Sequence, residues 1–485
     1  MKAWELLEQP RWQPEDLGRP LPEDEHAVSM ALPRWQDVVG YEEKRPETIH
    51  KLRNGYPRFV IHPLVQQAAM QLGNWNACLP FPSARVADLA LAFLRRHGHD
   101  GMTLQKGGLW GVVTSLDGGL VLKAFWQHTG LIVSSRQAKA FLEGRSEPDE
   151  TPAIRARLRQ HLAAFYEVEE GDVFLQPTGM AAQHAALAAV RLLRPGHPTV
   201  QLGFPYVDTL KLQQKVGDGA TLLHRLDRVE QELQVLLNRQ QLAACFCEIP
   251  GNPLLGSADL RRVSPLLRER GVPLVADDVV ATPYNVDLSP YADLVATSLT
   301  KYIVGTADAM GGAVICNPRS PFYEPLKQIL RAHHEDLLWG EEAMIIERQA
   351  RDFPSRMERH NANGLWIAEK LRAHPAVERV WYPKWEFAEV YESVRRPRGG
   401  WGSLVTFLPR HADRTAPAIY DRLAVNKGPS LGTVFTLACP FTLLAHYTEL
   451  DWAEACGVSR NLIRLSIGLE EPEALWQRIQ SALPD

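Results

Sequence analysis

One lysine of the chain is placed for covalent chemistry. Lys301 lies in the run Thr297-Ser298-Leu299-Thr300-Lys301-Tyr302, behind the hydroxyl side chains of Ser298 and Thr300. The small-residue stretch Gly305-Thr306-Ala307-Asp308-Ala309-Met310-Gly311-Gly312 follows it. An amine that attacks a carbonyl must be accessible in its neutral form, and an apolar flank favours that form. Neighbouring hydroxyls can bind a phosphate, and small residues let a cofactor approach the backbone. This is what a Schiff-base lysine needs, and if Lys301 carries pyridoxal phosphate much of the rest of the sequence becomes readable.

Further residues fit the same chemistry. Asp277-Asp278 follow the apolar run Pro273-Leu274-Val275-Ala276. If that run is a strand, its carboxyl end is where open α/β sheets bind ligands. A carboxylate there can pair with a protonated pyridine nitrogen and keep the ring an electron sink; an aspartate after a strand also serves as a helix cap or turn residue. Pro177-Thr178-Gly179-Met180-Ala181-Ala182 reads as a strand-to-helix turn whose free N–H groups suit a phosphate, although a plain turn reads the same way. Tyr206, in Phe204-Pro205-Tyr206-Val207-Asp208-Thr209, can stack on a pyridine ring or move protons; an ordinary core or surface tyrosine is the alternative. Asn252, in Cys247-Glu248-Ile249-Pro250-Gly251-Asn252-Pro253, can hydrogen-bond a ring oxygen, while the two prolines equally suit a tight turn. Arg464 lies inside the apolar string Leu462-Ile463-Arg464-Leu465-Ser466-Ile467-Gly468. A buried guanidinium needs an anion, either a substrate carboxylate or an internal glutamate. Ser430, in Pro429-Ser430-Leu431-Gly432-Thr433, can supply a hydroxyl nearby.

The elements that must hold these residues follow from periodicity. Helices are expected at 153–166, 181–193 and 258–270, and strands at 172–176, 199–202, 243–248, 273–277 and 294–297. Alternating βα units of this length argue for a mostly parallel sheet. A helical stretch at 340–371, broken near Pro354, leads after His374-Pro375 into a smaller α/β unit that ends in a helix at 473–483. Upstream, residues 1–50 are rich in Pro, Trp, Glu and Arg and read as an irregular arm that needs another surface to order it. A helical pattern at 86–94 and strand-like pieces at 111–114 and 119–122 follow. The expected division is an N-terminal arm and extra region over 1–150, a cofactor-binding large domain over 151–316, and a small domain with its connecting helix over 317–485.

The bulk properties narrow the class. A chain of 485 residues can hold two or three domains. A net charge of −4 gives no support for a nucleic-acid or anionic-membrane partner. No apolar run approaches the length needed to span a bilayer, and Met1-Lys2-Ala3-Trp4-Glu5 does not read as a signal peptide. The six cysteines, Cys78, Cys245, Cys247, Cys316, Cys439 and Cys456, show no metal-ligand spacing. A reduced, cytoplasmic protein with buried thiols and no metal site is expected. Cys245-Phe246-Cys247 alternates, so its two thiols should share one face.

In chain order, Gly179-Met180, Tyr206, Glu248-x-Pro250-x-Asn252-Pro253, Asp277-x-x-x-Ala281-Thr282-Pro283-Tyr284, Ser298-x-Thr300-Lys301, Ser430-Leu431-Gly432 and Arg464-Leu465-Ser466-x-Gly468 resemble the motifs of the Cys/Met-metabolism family of pyridoxal-phosphate enzymes. The resemblance runs from about residue 130 to 485. It implies the PLP-dependent transferase fold of the aspartate-aminotransferase type (fold type I): α/β, with a mostly parallel seven-stranded sheet in a large domain and a smaller C-terminal α/β domain. It implies Lys301 as the cofactor-bearing, proton-shuttling lysine, Asp277 as the pyridinium partner and Tyr206 as the stacking, proton-handling tyrosine. Gly179, Met180, Ser298 and Thr300 become phosphate ligands, and Ser430 and Arg464 the clamp on a substrate carboxylate. An N-terminal arm from a neighbouring subunit would reach the phosphate, in a homodimer or homotetramer with shared active sites.

The chain also departs from the family pattern. The usual Tyr-x-Arg arm motif has its nearest match in Ser134-Ser135-Arg136, which makes Arg136 the expected phosphate ligand. The usual His-Ser-Asp after the lysine is Thr306-Ala307-Asp308. Pro429 stands where many members carry an acidic residue that bears on substrate choice. The long N-terminal region with Gly55-Tyr56-Pro57-Arg58-Phe59-Val60, and Arg351-Asp352-Phe353, resemble the longer, fungal-type cystathionine γ-synthase branch. The expected reaction is γ-replacement on an O-acyl-L-homoserine by cysteine, giving cystathionine for transsulfuration and methionine biosynthesis. The alternatives are a β- or γ-lyase acting on cystathionine or methionine, a γ-substitution with another nucleophile, and a non-catalytic PLP-binding relative. The expected partners are small amino-acid substrates.

Overall fold

Short apolar runs separated by helices can satisfy their backbone only by pairing side by side, and the chain does this in three sheets. The computed structural model describes residues 2–73 and 77–484. Strands β1 (Cys78–Phe81), β2 (Gly101–Lys106) and β3 (Leu109–Thr114) form a small antiparallel sheet in the order β1-β3-β2. The central sheet comprises β4 (Val173–Gln176), β5 (Thr199–Leu202), β6 (Ala220–Leu223), β7 (Cys245–Glu248), β8 (Leu274–Asp277), β9 (Leu294–Ser298) and β10 (Gly312–Cys316). Its order is β4-β10-β9-β8-β7-β5-β6. Strands β9, β8, β7, β5 and β6 run parallel, and β10 is antiparallel to both β9 and β4. The third sheet holds β11 (Val377–Trp381), β12 (Leu404–Pro409), β13 (Asn426–Lys427), β14 (Leu437–Cys439) and β15 (Ile463–Ser466), in the order β11-β12-β15-β14-β13.

The central strands are apolar in both directions because helices cover both faces. In β7, Cys245 and Cys247 enter one core and Phe246 the other, as the alternation predicts. All six cysteines are free thiols. Parallel pairing sets Glu248 of β7 beside Asp277 of β8 at the carboxyl edge. The helix Gly179–Leu193 starts at the same edge, packed against β9 and β10. Gly312 leaves room for that turn: a Cβ there would sit 2.2 Å from the carbonyl oxygen of Thr178.

The helical stretch expected at 340–371 is two helices, Gly340–Ala350 and Phe353–Ala373, with Pro354 in the first turn of the second, where it costs no hydrogen bond. The strand expected at 119–122 is instead part of the helix Leu116–Thr129. Ser115 caps that helix by accepting from the Gly118 N–H at 3.1 Å, and Gly130 closes it in the left-handed region at φ 64°. Leu122, Phe125, Trp126 and Thr129 bury one face at helical spacing, a spacing that the short run Leu120–Val121–Leu122 obscured.

The irregular N-terminal stretch finds its ordering surface on its own chain. Leu17, Met30, Leu32, Trp35, Val38 and Tyr41 share a core with Ile367, Phe407, Tyr420 and Ile463 of the C-terminal layer. Polar links fix this docking. The Arg11 N–H donates to Asn426 Oδ1 at 2.8 Å, the Trp35 N–H to Asp421 Oδ1 at 2.7 Å, and Lys427 Nζ to the Pro33 carbonyl at 2.8 Å. No helix among the described residues is long and apolar enough to cross a membrane.

Candidate active site

The carboxyl edge of the central sheet, the N-terminal segment and the C-terminal layer enclose a cavity of about 150 Å³. Gly179, Met180, Tyr206, Asn252, Asp277, Ser298, Thr300, Lys301, Ser430 and Arg464 all line it. Ten residues expected from scattered strings are thus brought to one site.

Lys301 is buried, and its Nζ donates to the phenol oxygen of Tyr56 and to Ser430 Oγ, each at 3.0 Å. Burial pushes the lysine pKa down, against the opposing pull of Tyr56. Burial by itself would raise the Tyr56 phenol, but Lys301 and Arg58 outweigh it and hold the phenol below its ordinary value. The amine and the phenol therefore have their pKa values drawn towards each other, as a proton-sharing pair requires.

Asp277 is held by the Val279 N–H at Oδ1 and by Gln183 Nε2 at Oδ2, both at 2.8 Å. Burial raises its pKa, with a further push from Asp278. No basic side chain pairs with it among the described residues, so a protonated ring nitrogen would relieve a real electrostatic cost. Glu248 beside it accepts from the backbone N–H groups of Tyr206 and Asn252 and so ties two cavity loops together.

The phosphate end is a cradle that only glycine leaves open. A Cβ on Gly179 would lie 2.5 Å from Ser298 Cβ and 2.7 Å from its Oγ. Thr178 caps the helix by accepting from the Ala181 N–H at 3.0 Å. The Gly179 and Met180 N–H groups keep no acceptor among the described residues, as the first turn of a helix must. Ser298 Oγ likewise has no partner there. The Thr300 hydroxyl is already engaged with the backbone of Gly311, accepting from its N–H at 3.1 Å. Open N–H groups, a free hydroxyl and the missing Cβ fit a phosphate, and Asp277 and Lys301 fit the rest of pyridoxal phosphate.

Arg464 forms no ion pair with a glutamate among the described residues. Its Nη1 donates to Asn252 Oδ1 at 3.0 Å and its Nη2 to the Ser430 carbonyl at 2.7 Å, while the guanidinium lies 4.8 Å from the Phe441 ring centroid. Its Nε is buried without a partner. The guanidinium therefore retains its charge and an unused donor for an incoming carboxylate. Ser430 is held at φ 109°, a region that non-glycine residues rarely occupy. From there its hydroxyl meets Lys301 and its carbonyl meets Arg464.

Arg136 is not brought to this cavity. Its Nη1 donates to the Asp308 carbonyl and pairs with the buried Glu342 at 3.0 Å, so its charge is satisfied elsewhere. The cavity instead receives Tyr56 and Arg58 from the N-terminal segment. Arg58 pairs with the buried Asp208, donates to the Tyr206 phenol, and donates to the Gln127 carbonyl at 2.9 Å. Sequence reading missed both as site residues. The signal was Tyr56-Pro57-Arg58, itself a Tyr-x-Arg string, read there only as a mark of the longer branch.

Comparison with known proteins gives a consistent picture. The profile of the Cys/Met metabolism PLP-dependent enzymes matches residues 129–484. A cystathionine gamma-synthase of Neurospora crassa is 31% identical, over 97% of this chain and 98% of that protein. An L-2-amino-4-chloropent-4-enoate dechlorinase/desaturase of Streptantibioticus cattleyicolor is 32% identical, over 96% of this chain and 97% of that protein. Among solved structures, a cystathionine gamma synthase of Xanthomonas oryzae in complex with cystathionine superposes with a TM-score of 0.60 at 27% identity, covering 68% of this chain and 85% of that one.

Proposed function

Because the chain belongs to the Cys/Met-metabolism family of PLP-dependent enzymes, we propose that it catalyses γ-replacement on an O-acyl-L-homoserine, with cysteine as the nucleophile and cystathionine as the product. The observation that carries this reading is the link Lys301–Ser430–Arg464. Nζ lies 3.0 Å from Ser430 Oγ, and the Ser430 carbonyl lies 2.7 Å from Arg464 Nη2. A carboxylate on the free Nε of Arg464 would bring an amino-acid α-carbon within reach of the lysine.

Bound pyridoxal phosphate supplies an electron sink for negative charge at the substrate α- and β-carbons. Asp277 would keep its ring nitrogen protonated, Tyr206 would stack on the ring, and Gly179, Met180 and Ser298 would hold its phosphate. Tyr56 and Arg58 close that end from the N-terminal segment in place of Arg136. Arg464 fixes the substrate carboxylate, with Asn252 and Ser430 holding the guanidinium in register. Lys301 removes the α-proton and then assists loss of a β-proton, with Tyr56 as its nearest proton partner. In the overall replacement the γ-carbon–oxygen bond breaks, the acyl group leaves as a carboxylate, and cysteine sulfur bonds to the same carbon. The apolar walls at Phe59, Leu431 and Phe441 keep water from competing with the thiol.

A second reading is elimination, as in a β- or γ-lyase, or substitution by another nucleophile. The relative named as a dechlorinase/desaturase favours it, since the same family frame there carries a different reaction. Incubation of the holoenzyme with O-acyl-L-homoserine, with and without cysteine, separates the two. Cystathionine formed only with cysteine supports replacement; an oxo acid and ammonia formed equally in both refute it. The proposed setting is a cytoplasmic homodimer or homotetramer, and light scattering on the holoenzyme tests the assembly.

A further inference from the structure

The cavity holds one charged side chain that the mechanism above leaves idle. Glu42 closes the helix Trp35–Glu42 and lines the cavity together with Tyr41. That helix packs against the helix Phe441–Ala445, whose Phe441, Leu444 and Ala445 form the same wall. Phe441 is the ring that lies against Arg464. Glu42 thus stands on the side of the cavity that carries the carboxylate clamp.

Every other charge in the cavity has an occupation. Arg58 is paired with Asp208, Glu248 holds two backbone N–H groups, Asp277 is held by Gln183 and the Val279 N–H, Lys301 is held by Tyr56 and Ser430, and Arg464 by Asn252 and Ser430. Glu42 has no hydrogen bond and no ion pair among the described residues. Lys44, whose charge partly offsets the burial of Glu42, turns its Nζ to the Tyr41 carbonyl at 3.1 Å and to the Tyr41 ring. Pro429, also in the cavity lining, offers no charge. A half-buried carboxylate against apolar side chains is costly unless a cation meets it, and burial accordingly raises the pKa of Glu42 to about 7.

Resting on the γ-replacement reading, we propose that Glu42 is the recognition residue for the ammonium group of the incoming amino-acid thiol. Two amino acids must occupy the cavity in turn. The carboxylate of the first is taken by Arg464; the ammonium of the second is taken by Glu42, the one carboxylate among the described lining residues that accepts no hydrogen bond. The enzyme would then select a thiol that carries an ammonium, such as cysteine, over a thiol of the same length without one. The N-terminal segment would set the choice of nucleophile, while the family core sets the chemistry.

The test compares L-cysteine with 3-mercaptopropionate as nucleophiles for wild-type, Glu42→Gln and Glu42→Asp holoenzymes. Loss of one charge-assisted contact should lower kcat/KM for cysteine by roughly 10- to 100-fold in Glu42→Gln. The value for 3-mercaptopropionate and the KM for the acyl-homoserine should stay as they are, and Glu42→Asp should recover part of the loss. Equal losses for both thiols, or no loss for either, overturn the assignment. If the wild-type enzyme incorporates neither thiol, the γ-replacement reading fails by itself, and Glu42 is judged by calorimetric binding of L-cystathionine against its analogue lacking the distal ammonium. A preference for cystathionine that Glu42→Gln abolishes upholds the ammonium site; a preference that is absent, or unchanged by the substitution, rejects it.

Discussion

Lys301 Nζ lies 3.0 Å from the phenol oxygen of Tyr56, a residue 245 positions earlier in the chain. Burial lowers the lysine pKa and Tyr56 lifts it. Tyr56→Phe removes the lift, so the amine becomes neutral at lower pH. The acid limb of cofactor capture, followed by visible absorbance when pyridoxal phosphate is added to apoenzyme, should move to lower pH. Turnover should fall by about 10²-fold if the phenol relays protons. An unshifted limb would show that the phenol does not tune the amine.

Arg464→Ala should cost about 2–4 kcal/mol in kcat/KM, the price of losing a charge-assisted clamp on the substrate carboxylate. A substrate analogue that lacks the carboxylate should be indifferent to the change. Steady-state kinetics with both compounds decide it, and an unchanged kcat/KM for the amino acid removes the clamp assignment.

Arg58 and Arg136 should separate in their effects. Each forms a buried ion pair, with Asp208 and Glu342 respectively. Replacement of either by Met strands a buried carboxylate and should destabilise the fold by about 3–5 kcal/mol. Only Arg58→Met should also weaken cofactor binding, because only Arg58 lines the cavity. Titration of the two apoenzymes with pyridoxal phosphate, alongside their Tm values, reads both effects. Weakened binding in Arg136→Met alone would restore Arg136 to the phosphate.

Lys427 is fully buried, and burial pushes its pKa down to about 7. Between pH 7 and the ordinary lysine value the unfolded chain holds a proton that the folded chain has released. Stability from this group therefore rises with pH across that window, by up to about 1.4 kcal/mol per unit, and the penalty is fully present below it. Lys427→Met should lack the rise. The Tm difference between wild type and variant, followed from pH 7 to 10, should grow in favour of the wild type; a constant difference would contradict it.

The strings that place Lys301, Asp277, Gly179 and Arg464 were legible because each sits at a strand end or helix start whose local pattern is strong. Central strands such as β7 and β8 are apolar up to the single carboxylate that ends each of them, with a proline close by. The helix Leu116–Thr129 was not legible, since Gly118-Gly119 and a short apolar run hid its spacing. The roles of Tyr56 and Arg58 were not legible, because nothing local states that they meet Lys301 and Tyr206 far along the chain. Arg136 is the complementary case, a residue that the cavity of its own chain does not receive. Its partner Glu342 lies 206 residues further on, and the sequence near Arg136 does not announce a carboxylate waiting there.

The docking of the N-terminal stretch on the C-terminal layer fixes the order in which the protein can be finished. Arg11 needs Asn426, Lys427 needs Pro33, and Arg478 donates to the Leu7 carbonyl at a separation of 471 residues. During synthesis the stretch that bears Glu42, Tyr56 and Arg58 leaves the ribosome before its landing surface has been translated. The central sheet can assemble in sequence, but the cavity acquires its last wall only once the C-terminal layer has been translated. A nascent chain stalled before β13 would carry Lys301 and Tyr56 without Ser430 and Arg464, so the carboxylate clamp joins the lysine only after the C-terminal layer has been made.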